Sequence, residues 1–392
     1  MLTPESLPSL QRTLAAIGLD GWLLFDFQGT NPIAAGVLGL RGMVTRRVFA
    51  LIPREGAPVA VTHEIEQGPW RDWPAAWKRE RYGSWKALES LLARLVGGKR
   101  IAMEYSPGDA VPYVDRIPAG VLELVRHAGA TVVSSAELVT RFYAVWTADH
   151  LASHRRAAKI VATAAREGLA LAGARARTEA PMAEHELQSW LSDRLHRDGL
   201  EFDHPPIVAV GANAADAHYA PSSSRPRPIQ PGDVVLVDLW GKEPRGVYAD
   251  QTWMASVGEP SKRAVSVWEA VRDARDAAIS LLRERVTAGT PLKGADLDDA
   301  ARGVIAARGF GDRFVHRTGH SIDPRSLHGA GPHLDNFETR EERQLLPGVG
   351  FSIEPGIYVP GEIGVRSEVN AWVGDGSVVI TPEDPQRELI RV

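Results

Sequence analysis

The sequence predicts two domains: a three-layer α/β domain at residues 1–145, then an α+β domain at residues 146–392. Three observations predict this. The chain has 392 residues, and a single core is usually outgrown well before that length. The first third alternates short apolar runs with helix-like stretches, the pattern of a sheet covered by helices. Near residue 145 the texture changes to an Ala-rich helical stretch, followed by strand-rich sequence.

The elements follow in order. The opening MLTPESLPSLQRTLAAIG reads as an amphipathic helix after a Ser-Pro-rich lead-in. It lacks the basic start and long apolar stretch of a secretory signal, so a cytoplasmic location is expected. GWLLF at 21–25, RVFALI at 47–52, PVAVT at 58–62, RIAME at 100–104 and 131–134 read as strands. WKALESLLARL at 85–95 and the stretch 121–127 read as helices. Beyond the boundary, 149–171, 183–198, 262–285 and 294–307 carry helical periodicity. PSSSRPRPIQP at 221–231 reads as a rigid loop.

Composition narrows the function. A formal net charge of -4 argues against a nucleic-acid binder, which needs clustered positive charge to neutralise phosphates. No apolar run approaches the roughly 20 residues that span a bilayer, so no membrane partner is expected. There is no cysteine, so thiolate metal sites and cysteine nucleophiles are excluded. Any metal must be held by His, Asp, Glu or backbone oxygens.

The sharpest feature is VVLVDLW at 234–240. A continuous apolar run of this kind belongs to a strand covered on both faces, yet Asp238 sits inside it. An unpaired buried carboxylate costs several kcal/mol or shifts its pKa until it is neutral. Asp238 could instead cap a turn at Gly241. The next strand, GVYADQTW, places Asp250 twelve residues on, across a short turn. Two carboxylates side by side repel and call for a cation between them. The pattern recurs: GFSIEP puts Glu354 at the end of an apolar strand, and GVRSEVNAWV puts Glu368 inside another. A turn at 359–363 joins them into a second hairpin with a second acidic pair.

Histidine supplies the remaining element. FVHRTGHSIDPRSLH at 314–328 holds His316, His320 and His328. Flanked by glycines, it reads as a site loop, and spacing does not choose among the three. Carboxylates with imidazole suit Mn²⁺, Co²⁺ or Zn²⁺. Two such ions polarise a carbonyl and activate water, the chemistry of amide hydrolysis.

These motifs resemble the pita-bread metallopeptidases, in the branch of prolidase and aminopeptidase P. The resemblance rests on VDLWG, YADQTW, HRTGHSI, SIEPGIY and GVRSEVN, and covers about residues 150–385. It implies a creatinase-like N-terminal domain and a pita-bread catalytic domain. It implies metal ligation by Asp238, Asp250, His320, Glu354 and Glu368, with Mn²⁺ the first choice. It gives His218 (in ADAHY) and His328 catalytic roles at the tetrahedral intermediate or its leaving group, and makes Glu354 the proton shuttle. His316 falls near the proline pocket, Arg366 orients Glu368 and neighbouring acids, and Arg340 falls where prolidases hold the substrate carboxylate. Arg46, in GLRGMVTRR, is a second candidate for that carboxylate. The family's usual Asp-Ile-Thr-Arg-Thr reads Asp250-Gln251-Thr252-Trp253 here, which puts hydrogen bonding around the ligands in question. Asp323 stands where Gly is common.

The implied activity is metal-dependent hydrolysis of Xaa-Pro bonds, as a dipeptidase acting on a small peptide with proline second. The alternatives are an aminopeptidase P acting on longer peptides, a metal-free creatinase-like hydrolase and a non-catalytic binding module. A homodimer is implied by the family alone.

Overall fold

The computed structural model describes residues 1–392, which fall into two compact units, Met1–Tyr143 and Ala144–Val392. The first unit begins with α1 (Leu7–Ala16), β1 (Gly21–Asp26), α2 (Pro32–Leu38), β2 (Val48–Pro53), β3 (Val59–His63) and β4 (Lys78–Tyr82). It continues with α3 (Trp85–Val96), β5 (Arg100–Met103), α4 (Ala119–His127), β6 (Thr131–Ser134) and α5 (Ala136–Phe142). One sheet runs β4-β3-β2-β1-β5-β6. β1 is antiparallel to β2 and parallel to β5. Every residue of β1 is buried, as a central strand covered on both faces requires. On one face Leu23 and Phe25 pack with Leu88, Leu92 and Val125 from α3 and α4. The α/β expectation holds. β4 was not foreseen, because KRERY has no apolar pattern; it is a charged edge strand, the usual guard against unwanted pairing. Just past β5, the fully buried Glu104 accepts from Trp22 Nε1 at 2.6 Å and Asn31 Nδ2 at 2.9 Å. Burial pushes its carboxyl up to about 7.

The second unit opens with a helix pair, α6 (Ala148–Arg175) and α7 (Glu184–Arg197), and the strands β7 (Ile207–Val210), β8 (Val234–Gly241) and β9 (Ala249–Ser256). A second helix pair follows, α8 (Lys262–Thr287) and α9 (Gly294–Ala307). Then come β10 (Ser321–Ile322), β11 (Gly350–Ile353), β12 (Gly356–Val359), β13 (Ile363–Arg366), β14 (Val369–Val373), β15 (Val378–Thr381) and β16 (Ile390–Arg391). The sheets are β16-β9-β8-β7, β10-β11-β14-β15 and the pair β12-β13. α6 and α7 pack Leu169, Leu187 and Leu191 on the first sheet through Val235, Val237 and Trp253. α8 and α9 pack Val271, Ala278 and Leu297 with Phe351, Ile353 and Val365. Helix starts follow the expected chemistry: Thr147 closes a capping box with His150, and Ser261 accepts from Ala264 N. No helix is long and apolar enough to cross a membrane.

The two hairpins position the acids. β8 and β9 pair antiparallel with Asp238 opposite Thr252 and Trp240 opposite Asp250. Asp238 and Asp250 therefore share a face as diagonal neighbours, with Thr252 directly across from Asp238. β11 pairs β14 with Ile353 opposite Val369, and β12 pairs β13 with Gly356 opposite Arg366. Both ladders share one register, which brings Glu354 and Glu368 to opposite sides of a break between them. The expectation that Glu368 lies inside a continuous strand is corrected: it follows Ser367 in the gap between β13 and β14. Pro355 has no N–H to donate, so the ladder opens there.

Candidate metal centre and active site

The five expected ligands lie on three backbone pieces of the second unit. Asp238 and Asp250 come from the first hairpin, Glu354 and Glu368 from the second, and His320 from the residue before β10. Asp238, Asp250, His320 and Glu368 are all buried, and Glu354 is half-buried. His320 Nε2 stands 3.3 Å from Asp250 Oδ2 and 3.4 Å from Glu354 Oε1. Ligand atoms of Asp250, His320 and Glu368 all lie within 4.8 Å of one another.

Local hydrogen bonds fix these groups. His320 Nδ1 faces the Ser321 carbonyl at 3.2 Å. A carbonyl only accepts, so Nδ1 carries the proton and Nε2 presents its lone pair to the carboxylates. His320 N donates to Ser352 Oγ at 2.9 Å, and Ser352 Oγ donates to Glu354 Oε1 at 2.9 Å. Glu354 N donates to Thr318 O at 2.7 Å. Asp250 N donates to Asn370 Oδ1 at 2.9 Å, tying β9 to β14.

Arg366 is buried among the acids. Its Nε donates to Thr252 Oγ1 at 2.9 Å, its NH1 to the Tyr358 hydroxyl at 3.2 Å, and its NH2 to Asp238 Oδ2. It therefore reaches Glu368 only through Thr252, whose hydroxyl lies 2.9 Å from Glu368 Oε2 and 3.2 Å from Asp238 Oδ1. Each of its three donor nitrogens makes a bond to protein, to Thr252, Tyr358 and Asp238.

The electrostatics follow from burial and crowding. Burial first, then Asp238 and Glu354, push Asp250 well above the usual carboxylate range. Burial first, then Asp250 and Glu354, do the same to Glu368. Burial raises Asp238, with Arg366 opposing. Burial also pushes Glu354 up, but His320, Arg366 and His316 together hold it below its ordinary value. Two buried oxygens, Asp250 Oδ1 and Glu368 Oε1, have no hydrogen-bond partner in the protein. Orphaned acceptors inside a cluster of like charges are what a hard divalent cation would satisfy. The donor set is oxygen plus one imidazole, and it fits such an ion.

The other histidines divide. His328 packs its ring on His320, with centroids 4.2 Å apart. The neighbouring His320 and its own burial lower His328 to about 4, so it is neutral at physiological pH. His316 Nδ1 faces the Arg317 carbonyl at 2.7 Å, and its Nε2 lies 2.8 Å from the Tyr358 hydroxyl. The same tautomer argument makes Nε2 the acceptor and Tyr358 the donor. His218 is exposed, and its backbone N donates to Asp216 Oδ1 at 3.1 Å. It follows a short 3₁₀ turn, Gly211–Ala215, that lies against Gly364 of β13, where a Cβ would strike the Ala214 carbonyl.

The two arginines expected to hold a substrate carboxylate are placed differently. Arg340 is exposed and pairs with Glu342 at 3.2 Å. Arg46, in the first unit, donates to Thr45 O and Thr45 Oγ1 at 3.1 and 3.2 Å. Its backbone N is held by the Glu66 carboxylate at 3.0 Å. The departure at Trp253 leaves the cluster untouched. Strand alternation turns it to the opposite face from Thr252, where Nε1 donates to Gln251 Oε1 and Arg166 stacks on the ring. Asp323 accepts from Arg325 N, Ser326 N and Ala330 N, and so shapes the turn that carries His328.

Sequence reasoning missed Thr252, Tyr358, Ser352 and Asn370. Thr252 lies two residues from Asp250 on the same strand, so alternation alone places it on the acidic face.

The model of metallopeptidase family M24 matches residues 152–375. The protein named probable dipeptidase PepE of Mycobacterium tuberculosis is 30% identical over 354 residues, 89% of this chain and 84% of that protein. The Xaa-Pro dipeptidase of Lactobacillus helveticus is 34% identical over 187 residues, 47% of each chain. Among solved structures, dipeptidase PepE from Mycobacterium ulcerans superposes with TM-score 0.73 at 24% identity, over 98% of this chain and 97% of that one. The prolidase from Thermococcus sibiricus gives TM-score 0.68 at 23% identity over all of both chains. The chain belongs to metallopeptidase family M24, on its prolidase branch.

Proposed function

We propose that this protein hydrolyses Xaa-Pro dipeptides, with Asp238, Asp250, His320, Glu354 and Glu368 holding two divalent cations. The carrying observation is the pair of orphaned oxygens, Asp250 Oδ1 and Glu368 Oε1, inside a buried cluster of carboxylates. The relative from Lactobacillus helveticus that bears the name Xaa-Pro dipeptidase supports the substrate class. Mn²⁺ is the first choice of ion, with Co²⁺ and Zn²⁺ as alternatives, because hard oxygen donors dominate the set. The same reading takes the protein as a cytoplasmic homodimer.

When bound, the cations supply a Lewis acid for the scissile carbonyl and a lowered pKa for water. The protein's own groups do the rest. The Xaa-Pro bond has no N–H and its proline nitrogen must be protonated to leave. Glu354 Oε1 is occupied by Ser352, which leaves the other oxygen to take a proton from water and deliver it to that nitrogen. Neutral His328 offers an N–H to negative charge developing on the carbonyl oxygen. His218 is assigned the same side of the substrate. His316, held by Tyr358, would border the proline ring. Arg340 would receive the C-terminal carboxylate, and its replacement by Met would relax length selection.

The deciding experiment assays Ala-Pro, Met-Pro and a tripeptide Xaa-Pro-Xaa after EDTA treatment, with Mn²⁺, Co²⁺ or Zn²⁺ restored, alongside metal analysis. Dipeptide cleavage that requires a divalent ion is expected. Cleavage of the tripeptide alone would make the protein an aminopeptidase P. Absence of any bound or activating metal would remove the proposal.

A further inference from the structure

The segment Phe314–Thr318 carries His316 and leads into His320, yet it has no strand ladder of its own. Its backbone groups therefore need partners from elsewhere. Glu338 accepts from Arg317 N, Glu354 N donates to Thr318 O, and one turn of α9 provides partners at residues 314, 316 and 318. Asp298 is fully buried. Its Oδ1 accepts from Thr318 N at 2.9 Å and from Thr318 Oγ1 at 2.6 Å. Its Oδ2 accepts from Asn336 N at 2.9 Å and from Arg302 Nε at 2.8 Å. Arg302, four residues further along the helix, donates NH1 to Phe314 O at 3.1 Å and NH2 to His316 O. Its guanidinium lies 4.2 Å from the Phe314 ring centre and 4.1 Å from that of Phe337.

We propose that Asp298 and Arg302 form a positioning pair for His316, fixing the backbone from which its imidazole meets Tyr358. The pair grips the segment at residues 314, 316 and 318, on both sides of the imidazole and at its own carbonyl. A buried ion pair is by itself weak evidence for stability, because well-packed apolar replacements often do as well. What an apolar replacement cannot supply is the planar fork that holds two carbonyls two residues apart. The effect is selective. His320 is anchored separately, by Ser352 and by the paired strands β10 and β11. Loosening the α9 pair therefore releases His316 ahead of His320. The chain of bonds runs from Arg302 through His316 and Tyr358 to Arg366 and Asp238. The catalytic consequence rests on the Xaa-Pro reading above, while the structural one does not.

The test uses the full chain with Arg302→Met and Arg302→Lys. The lysine variant keeps the charge beside Asp298 but loses the fork, and so guards against a variant that fails to fold. Three readouts are taken: Mn²⁺ binding by titration calorimetry, kcat and KM on Ala-Pro, and imidazole NMR of ¹⁵N-histidine-labelled protein. Both variants should shift or broaden the His316 signals while those of His154, which lies between Tyr248 O and Thr381 Oγ1, stay in place. They should lose about tenfold or more in kcat, the usual scale for such support, with Mn²⁺ affinity unchanged. Unmoved His316 signals would overturn the proposal. So would a fall in Mn²⁺ affinity that matches the fall in kcat, since that describes general loosening. If wild-type protein fails to cleave Ala-Pro while the His316 signals respond as stated, the positioning pair stands and the substrate reading falls.

Discussion

Replacing Thr252 by Val tests the junction of the acidic cluster. Valine keeps the shape and β-branching of threonine, so the strand itself should be unaffected. Only the hydroxyl is lost. That hydroxyl accepts from Arg366 Nε at 2.9 Å and faces Glu368 Oε2 at 2.9 Å. In the variant, Arg366 Nε becomes a buried donor without an acceptor, and Glu368 loses its only protein donor. Leaving a buried group unpaired costs about 1–3 kcal/mol, so the two together should cost roughly 2–6 kcal/mol. For a unit of this size that corresponds to a fall in Tm of roughly 4–24 °C. Activity should drop by about 10- to 100-fold, since the hydroxyl supports ligands without being one. Thermal unfolding and Ala-Pro hydrolysis of Thr252→Val and Thr252→Ser, both metal-loaded, provide the assay. The serine variant keeps the hydroxyl and should stay near wild type. Equal Tm and equal kcat for the two variants would refute the argument, because the hydroxyl would then do nothing that the methyl groups do not.

Metal removal and pH give further expectations. In the metal-free protein Asp250 and Glu368 have raised pKa values, so protons and cations compete for them. The rise in Tm on adding Mn²⁺ should be larger at pH 8 than at pH 6; an increment that shrinks with pH would contradict the site. His154 is buried and held down to about 4, chiefly by burial. The unfolded chain then takes up a proton that the folded chain refuses, so this contribution is complete above about pH 6.5 and is lost as pH falls towards 4. At 1.36 kcal/mol per pKa unit this amounts to roughly 3 kcal/mol. Urea unfolding at pH 7 and pH 5 should show a steeper loss for wild type than for His154→Gln, and parallel losses would count against it.

The legible part of this protein was where chemistry and burial conflict. Asp238 stood out because a carboxylate inside VVLVDLW contradicts its neighbours, and Asp250, Glu354 and Glu368 repeated the contradiction. Strands such as 131–134 and helices such as 294–307 announced themselves by period. The rest depended on contacts between distant segments. Tyr358 in GIYV looks like any buried strand aromatic, and only its hydroxyl between His316 and Arg366 gives it a function. Asp298 and Arg302 in GADLDDAARGV read as an ordinary i,i+4 pair on a helix surface. Their burial is made by the 314–318 and 336–337 segments, which no local pattern connects to α9. Arg340 shows the opposite case, a residue whose setting the sequence leaves open. A charge run such as NFETREER fits a substrate clamp as well as a solvated loop, and the structure pairs it with Glu342 two residues away.

The second unit repeats one order twice: two helices, then an antiparallel hairpin that carries two acids. The hairpins are stitched together by Asp250 N to Asn370, Thr252 to Glu368, and Arg366 to Asp238. The stitching makes the crowding of acids a property of the fold, because the Asp238 and Glu368 carboxylates each bond to the other hairpin and the Asp250 backbone is tied to it. Four carboxylates bring four negative charges, and Arg366 returns one positive charge. A single divalent ion would leave net negative charge in a buried place, where an uncompensated charge is costly. A second divalent ion removes that deficit and leaves one positive charge over. That excess matches what the reaction needs, an anionic nucleophile derived from water held beside a carbonyl. The charge balance of the side chains therefore supports the two-ion reading proposed above.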